Sequence, residues 1–311
     1  MKKICLVGCG TIGRLHAKNL IGKAELSFCS RTRASAEAFS AEFGGGPVFD
    51  RYEEVLASAV DAVLISSPPE AHREQVIAAL EASKGVLVEK PLCTTAEDLV
   101  AIGEVVTTHP DALLMVAENY YYKPALKLIK WILQQGYIGQ VQRATIGKRF
   151  TQAASGWKSG YGALLEGGIH FVAFGADLFD SELQRVTAEF PGMVAGEPER
   201  NSVVRVEYAG GAQLELRYAW NAFSLVKGTF QHSRIVGMAG QIVFESNGIY
   251  VRLQGRRKRL YFPGFADMMG YGGMVRDFLA CLQESERVPY SNFLRAERDL
   301  GIVFSAYEKL P

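Results

Sequence analysis

Apolar and polar residues follow two alternating textures along the first 120 positions. Short apolar runs stand at 4–7, 25–29, 62–65, 86–88 and 113–116. Each is too short for a helix and shows little polar alternation, which predicts strands buried on both faces. Between them, residues 12–21, 34–43, 52–57, 70–82 and 95–106 carry apolar side chains at helical spacing. Strand and helix in regular succession predict βαβ units around a doubly wound parallel sheet. Thr94, three residues before Glu97, has the spacing of a capping box for the last of these helices.

After Tyr120 the texture changes. One helical pattern covers residues 123–135. Strand patterns then follow at 141–149, 185–190, 202–208, 213–218, 228–236, 241–245 and 249–253, separated by turns such as Ala209-Gly210-Gly211 and Ser246-Asn247-Gly248. Glycine turns in place of helices predict antiparallel pairing. Gly168-Ile169-His170 begins an apolar helix, and helical patterns at 271–284 and 292–310 close the chain. The expected architecture is an α/β domain over residues 1–120 with a doubly wound parallel sheet. An α+β domain over 121–311 should hold a large, mostly antiparallel open sheet, with the last helix free to pack back on the first domain. A length of 311 residues suits two cores better than one.

Composition narrows the partners. Hydrophobic content of 48%, charged content of 22% and a net charge of +1 are those of a globular chain without a field that would recruit nucleic acid or membrane lipid. Recognition must be local, which favours a small-molecule substrate. Arg256-Arg257-Lys258-Arg259 reads as a solvated hairpin rather than a nucleic-acid site. Met1-Lys2-Lys3 resembles the start of an export signal, but the apolar run stops at Gly8 and no small-residue cleavage site follows. No segment reaches the roughly 18 apolar residues of a membrane span, so a soluble, cytoplasmic chain is expected. None of the five cysteines forms a CxxC pair or stands at metal-ligand spacing beside a histidine, so no metal is expected. Reduced structural thiols are the favoured reading; Cys9 and Cys93 are the two positions to watch for oxidation.

Chemistry first becomes specific at Gly8-Cys9-Gly10-Thr11-Ile12-Gly13, which follows the first strand and opens the first helix. That context marks a dinucleotide-binding Rossmann loop. Gly8 permits the tight turn, Gly10 lets backbone approach a pyrophosphate, and Gly13 allows helix and strand to touch. Amides at the helix N-terminus, around Thr11 and Ile12, then face the phosphates. About 20 residues on, where an acidic residue would hold the ribose of NAD, the chain reads Ser30-Arg31-Thr32-Arg33. A carboxylate would repel a 2′-phosphate, whereas this hydroxyl and these guanidinium groups can bind one, so NADP(H) is favoured over NAD(H). The same residues also suit a solvated pair of arginines without cofactor preference.

Glu89-Lys90-Pro91 ends the fourth clear strand, where ligands bind in open parallel sheets. By itself it reads equally as an exposed ion pair. Together with the glycine loop, Ser66-Ser67-Pro68-Pro69-Glu70-Ala71-His72, Glu118-Asn119-Tyr120 and Glu166-Gly167-Gly168-Ile169-His170, it resembles the Gfo/Idh/MocA oxidoreductases in the order of its motifs. The resemblance covers essentially the whole chain. It implies that Lys90 is the active-site lysine and His170 the catalytic histidine. It also implies that Ser67, Pro68 and His72 lie beside the nicotinamide and its ribose, and that Glu89 and Asn119 are cofactor-side residues. Relatives pair through the open sheet, so a homodimer or homotetramer is expected.

Hydride transfer at a carbinol carbon requires proton transfer at its oxygen and stabilisation of alkoxide character there. A histidine changes charge near neutral pH, which suits His170 to the proton transfer, and Lys90 suits the polarising role; the two roles are exchangeable at this level. Glu166, Tyr120, Tyr122, Trp157 and Lys158 are candidate substrate contacts, although the aromatic residues equally suit packing. Most relatives carry Asp where this chain has Glu166, and often Asp again where it has Ala173, departures that weaken an inference to a polyol or inositol substrate. The leading expectation is an NAD(P)-dependent dehydrogenase or reductase acting on a sugar-like or cyclic small molecule. Two alternatives stay open: a catalytically silent NAD(P)-binding regulator or scaffold, and a glycosidase or lyase that uses NAD for transient oxidation.

Overall fold

The short buried runs assemble into a parallel sheet. In the computed structural model, which describes residues 1–153 and 159–310, strands β1 (Lys3–Val7), β2 (Glu25–Cys29), β3 (Val48–Phe49), β4 (Ala62–Ile65), β5 (Gly85–Val88) and β6 (Leu114–Val116) pair in the order β3-β2-β1-β4-β5-β6. Every pairing is parallel. Helices α1 (Thr11–Leu20), α2 (Arg33–Glu42), α3 (Tyr52–Ala57), α4 (His72–Glu81) and α5 (Ala96–Thr108) make the crossovers. β4 and β5 are buried at every position, which is why their sequences show no alternation. Each fully buried Leu, Ile or Val there contributes about 1.5–3 kcal/mol against the entropy of ordering the chain.

Two local expectations change. β3 has only two residues behind Gly44-Gly45-Gly46-Pro47, too few to leave a period, yet it pairs with Phe28 and Cys29. The cap of α5 is Thr95, whose hydroxyl accepts from Asp98 N–H at 3.1 Å, one residue later than the Thr94 and Glu97 spacing predicts.

The chain divides into two compact units, the first combining Met1–Glu118 with Tyr271–Glu297. Helix α8 (Tyr271–Gln283) therefore belongs with the parallel sheet, where it lies against α1. The first turn of α9 (Phe293–Tyr307) does so too. Asn292, just ahead of that turn, bridges to Met115 of β6.

The second unit holds Asn119–Gly270 and the residues from Arg298 onward. Its eight strands are β7 (Val141–Arg149), β8 (Leu183–Glu189), β9 (Asn201–Tyr208), β10 (Gln213–Ala219), β11 (His232–Gly237), β12 (Gly240–Glu245), β13 (Val251–Gln254) and β14 (Lys258–Tyr261). They order as β14-β13-β12-β11-β7-β10-β9-β8, antiparallel except where β7 meets β10. Helix α7 (Ile169–Ala176) lies on β7 and β10, and Gly175 lets it close on Leu214 and Leu216. Helix α6 (Pro124–Gln134) buries Leu126, Ile129 and Ile132. β9, β10 and β11 alternate buried with exposed residues, so one face turns out Arg205, Gln213, Arg217 and Arg234. The basic run at 256–259 enters β14, an unexpected edge strand whose charges discourage further pairing. Among the described residues no helix is long and apolar enough to cross a membrane.

Candidate active site

In the first unit the candidate residues gather at the carboxyl ends of β1, β2, β4 and β5, where the strand order reverses about β1. The Gly8 amide donates to the Cys29 carbonyl at 2.9 Å, and Ser66 Oγ donates to the Gly8 carbonyl at 2.7 Å. Gly8 has φ +100°, and a Cβ there would stand 2.6 Å from the Ser66 carbonyl carbon, so both backbone geometry and space exclude a side chain. Gly10 differs, with open space around the position of a Cβ. It is also the N-cap of α1, without a side-chain cap and with no acidic residue in the first turn. The opening amides of α1, from Thr11 through Gly13, are therefore uncapped by any side chain. An exposed backbone face before an uncapped helix end fits the pyrophosphate of a dinucleotide.

At the end of β2, Ser30 is half-buried while Arg31, Thr32 and Arg33 are exposed. The two arginines differ. Arg33 donates to Glu37 at 2.7 Å and to both oxygens of Asp50 at 2.7 Å, so it is engaged by protein carboxylates rather than open to a phosphate. Arg31 makes no ion pair among the described residues. Thr32 shares a hydrogen bond with Ser35 at 2.7 Å.

Around Lys90 the sequence expectations are rearranged. Glu89 is buried, with Oε1 2.5 Å from His16 Nε2, and Oε2 accepts from the Lys90 amide at 3.1 Å. Its carboxylate is thus turned to α1 and fixes the backbone at Lys90. His16 was not anticipated; the signal was a polar residue on the buried Gly13, His16, Ala17, Leu20 face of α1. His72 is fully buried, its Nδ1 2.8 Å from the Pro91 carbonyl and its Nε2 3.0 Å from the Ser67 carbonyl. It joins these two loops, and burial pushes its pKa down. Ser67 donates to Gln75 at 2.5 Å, Pro68 is exposed, and Lys90 is half-buried beside a cis Lys90–Pro91 peptide. Burial pushes the Cys9 thiol up to about 11 and the Cys93 thiol up to about 12. Neither is a thiolate at neutral pH, which argues against easy oxidation and against a nucleophile.

In the second unit His170 stands in the first turn of α7, after a wide π-type turn at Leu164–Gly168 that contains Glu166. Such turns concentrate at functional sites because they re-aim side chains at the expense of regular bonding. The His170 ring is half-exposed and stacks on Tyr120 at 4.6 Å with 13° between planes; the Lys123 ammonium lies 4.1 Å from the Tyr120 centroid. Tyr120 and Tyr122 are buried, so they support the site more than they line it. Tyr121, also buried, is hydrogen-bonded to Asp299 and receives a bond from Arg298 at 2.8 Å. Asn119 donates to the Met269 carbonyl at 2.6 Å, an internal tie rather than an open cofactor contact. Glu166 is buried, and Tyr218 lies close enough to feel its charge. Trp157 and Lys158 lie outside the described residues.

Known proteins resemble this chain in sequence and in fold. Residues 2–117 match the model of an oxidoreductase family with an NAD-binding Rossmann fold, and residues 126–243 match the Gfo/Idh/MocA C-terminal domain. Inositol 2-dehydrogenase of Rhizobium meliloti (strain 1021) is 32% identical over 148 residues, which is 46% of this chain and 44% of that protein. The chain spans about half the length of the curated relatives it matches. An oxidoreductase from Agrobacterium radiobacter, solved with NAD+, L-tartaric acid and magnesium, superposes with a TM-score of 0.87 at 18% identity, over 99% of this chain and 95% of that one. A 3-ketoreductase from Actinomadura kijaniata, solved with NADP and TDP-benzene in an open conformation, gives a TM-score of 0.82 at 21% identity, over 98% and 96%. These likenesses show the shared fold. With a dinucleotide-binding unit and an open-sheet unit that match both of its domain models in order, the chain belongs to the Gfo/Idh/MocA oxidoreductase family.

Proposed function

We propose that this chain is an NADP(H)-dependent dehydrogenase or reductase acting at a carbinol or carbonyl carbon of a sugar-like or cyclic small molecule. The observation that carries the reading is the uncapped, side-chain-free start of α1 at the reversal point of the sheet, with Lys90 at the end of β5 in the same unit. A bound nicotinamide supplies the hydride donor or acceptor. The amides of Thr11, Ile12 and Gly13 hold the pyrophosphate. Ser30 and Arg31 hold the 2′-phosphate, since Arg33 is already committed to Asp50 and Glu37 and, of the two arginines, only Arg31 stands outside an ion pair among the described residues. Lys90 stabilises negative charge on the reacting oxygen, and His170, oriented by its stack on Tyr120, moves the proton. Glu166 meets the substrate hydroxyls, with Trp157 and Lys158 as further contacts.

The names of the relatives, an inositol dehydrogenase and a ketoreductase, support a cyclic or sugar-like substrate. Solved relatives carry either NAD+ or NADP, so the preference for NADP(H) rests on residues 30–33. The polar open face of the second sheet suits a homodimer or homotetramer, and a cytoplasmic location belongs to the same reading. The test is absorbance of reduced nicotinamide with NADPH or NADH over a panel of keto-sugars, cyclic ketones and polyols. Consumption of NADPH at least about tenfold more efficient than of NADH is expected. Tight NADPH binding without turnover would replace this reading with a regulator, and glycoside cleavage without net cofactor consumption would replace it with a lyase.

A further inference from the structure

A second carboxylate lies behind the turn that carries Glu166 and precedes His170. Glu199 stands just ahead of β9 and is 2% exposed. The turn Leu164–Gly168 starts a helical segment, and the first amides of such a segment have no earlier helical carbonyl to bond. Three consecutive amides are satisfied here by one glutamate and one tyrosine. Ala163 N–H donates to the Glu199 backbone carbonyl at 2.9 Å, and Leu164 N–H donates to Glu199 Oε1 at 2.7 Å. Leu165 N–H donates to the Tyr307 hydroxyl at 3.1 Å, and that hydroxyl donates to the same Oε1 at 2.9 Å. Glu166 N–H then makes a bond within the turn, to the Gly162 carbonyl at 3.1 Å. Arg200 ties the approach, donating to the carbonyls of Tyr161 at 3.0 Å and Ser159 at 3.3 Å. Gly162 is small by necessity, since a Cβ there would meet both Glu199 Oε1 and the Tyr307 hydroxyl.

We infer that Glu199, braced by Tyr307, is the positioning residue that fixes the turn bearing Glu166 and the helix start bearing His170. Its importance for catalysis rests on the oxidoreductase reading above. Oε1 takes both side-chain bonds while Oε2 is buried without a hydrogen-bond partner among the described residues, so a neutral acceptor of the same length can serve. Burial lifts the carboxyl to about 7, against the hydrogen bonds from Leu164 and Tyr307 and the charge of Arg200. The groups that face it are Arg200 on its own segment, Tyr307 of α9 and Tyr218 of β10. Both tyrosines are pushed up by burial and stay protonated, so Tyr307 is a permanent donor. The hydrogen bonds from Leu164 and Tyr307 favour the ionised form, but burial outweighs them, so the protonated carboxyl, still accepting at Oε1, holds the folded turn at least cost.

The experiment measures amide hydrogen exchange of residues 160–170 on the full chain, with kcat, KM and NADPH Kd for wild type, Glu199→Ala, Glu199→Gln and Tyr307→Phe. Expected are exchange about tenfold faster at Leu164 and Leu165 and a kcat lower by roughly tenfold or more in the Ala and Phe variants, with Kd for NADPH unchanged. Glu199→Gln should keep wild-type protection and recover most of kcat. It should also lose the rise in protection that wild type shows as pH drops from about 7 toward 4.5, where the folded carboxyl keeps its proton. Should Glu199→Ala fail to fold, Tyr307→Phe and Glu199→Gln decide alone. The inference is overturned if these amides exchange at the wild-type rate in the Ala and Phe variants, or if they loosen while kcat stays within twofold. If wild type turns over nothing in the panel, the proposed function fails, while exchange, which needs no substrate, still decides whether Glu199 holds the turn.

Discussion

Gly8 and Gly10 stand two residues apart in one loop, and replacing each by alanine should separate folding from cofactor binding. At Gly8 the backbone is left-handed, with φ +100°, and a methyl group would press on backbone atoms of Ser66 and Ser67 at 2.6–2.7 Å. The left-handed conformation costs about 1–2 kcal/mol for a residue with a Cβ. Forcing two packed backbones apart costs about 1–3 kcal/mol more, and the stiffer unfolded chain returns about 0.4–1 kcal/mol. Gly8→Ala should therefore destabilise the first unit by about 3 kcal/mol, a fall in Tm on the order of 10 °C. Gly10 has φ −102° and ψ −166°, ordinary for alanine, and a methyl there meets nothing within 4 Å. Its loss as an N-cap and its gain in unfolded-state stiffness nearly cancel, so stability should change by less than about 0.5 kcal/mol. NADPH should bind at least about tenfold more weakly, because the methyl occupies the side from which the pyrophosphate approaches. Urea unfolding without cofactor and fluorescence titration with NADPH read the two effects separately. If Gly8→Ala unfolds like wild type, or Gly10→Ala binds NADPH normally, the assignment of roles within this loop is wrong.

Four further outcomes are expected. Lys90→Ala should lower kcat at least about a hundredfold while NADPH affinity stays within a few fold; turnover near the wild-type rate would remove Lys90 from the chemistry. Ser30→Asp should shift preference toward NADH, and Arg31→Ala should weaken NADPH more than Arg33→Ala does, since Arg33 is already held by Glu37 and Asp50. An unchanged or stronger NADPH preference in Ser30→Asp would refute the reading of this segment. Because burial raises Glu199 from 4.5 to about 7, the folded chain keeps a proton that the unfolded chain releases within that window. Its stability should thus fall as pH rises from 4.5 to 7, by about 3 kcal/mol from this group. Glu199→Gln should erase that contribution and gain the same amount on wild type across the window in urea titrations; parallel curves would contradict it.

Residues that act through local backbone were legible in the chain. The glycine loop shows in sequence because turn, close approach and helix start each demand glycine at a particular step, and the buried strands show because both faces exclude polar side chains. Glu89, His72 and Asn119 were found as motif members, yet the side chains turn to His16, to two loop carbonyls and to Met269. A motif records which residue stands at a position and not which neighbour its side chain meets. Glu199 lay in Gly196-Glu197-Pro198-Glu199, a segment that reads as a solvated loop, because its partners are 35 and 108 residues away.

The order of residues already carries two domains of different texture, a dinucleotide loop after the first strand, and the absence of a carboxylate over residues 29–33. These depend on backbone sterics and on local charge, which neighbours in sequence carry with them. It takes the folded chain to show that Arg33 is held by Asp50 and Arg31 is not, that α8 packs with the parallel-sheet unit, and that a buried carboxylate grips the turn before His170. Those depend on hydrogen bonds and burial between segments far apart in the chain, where no local period or spacing records the partner.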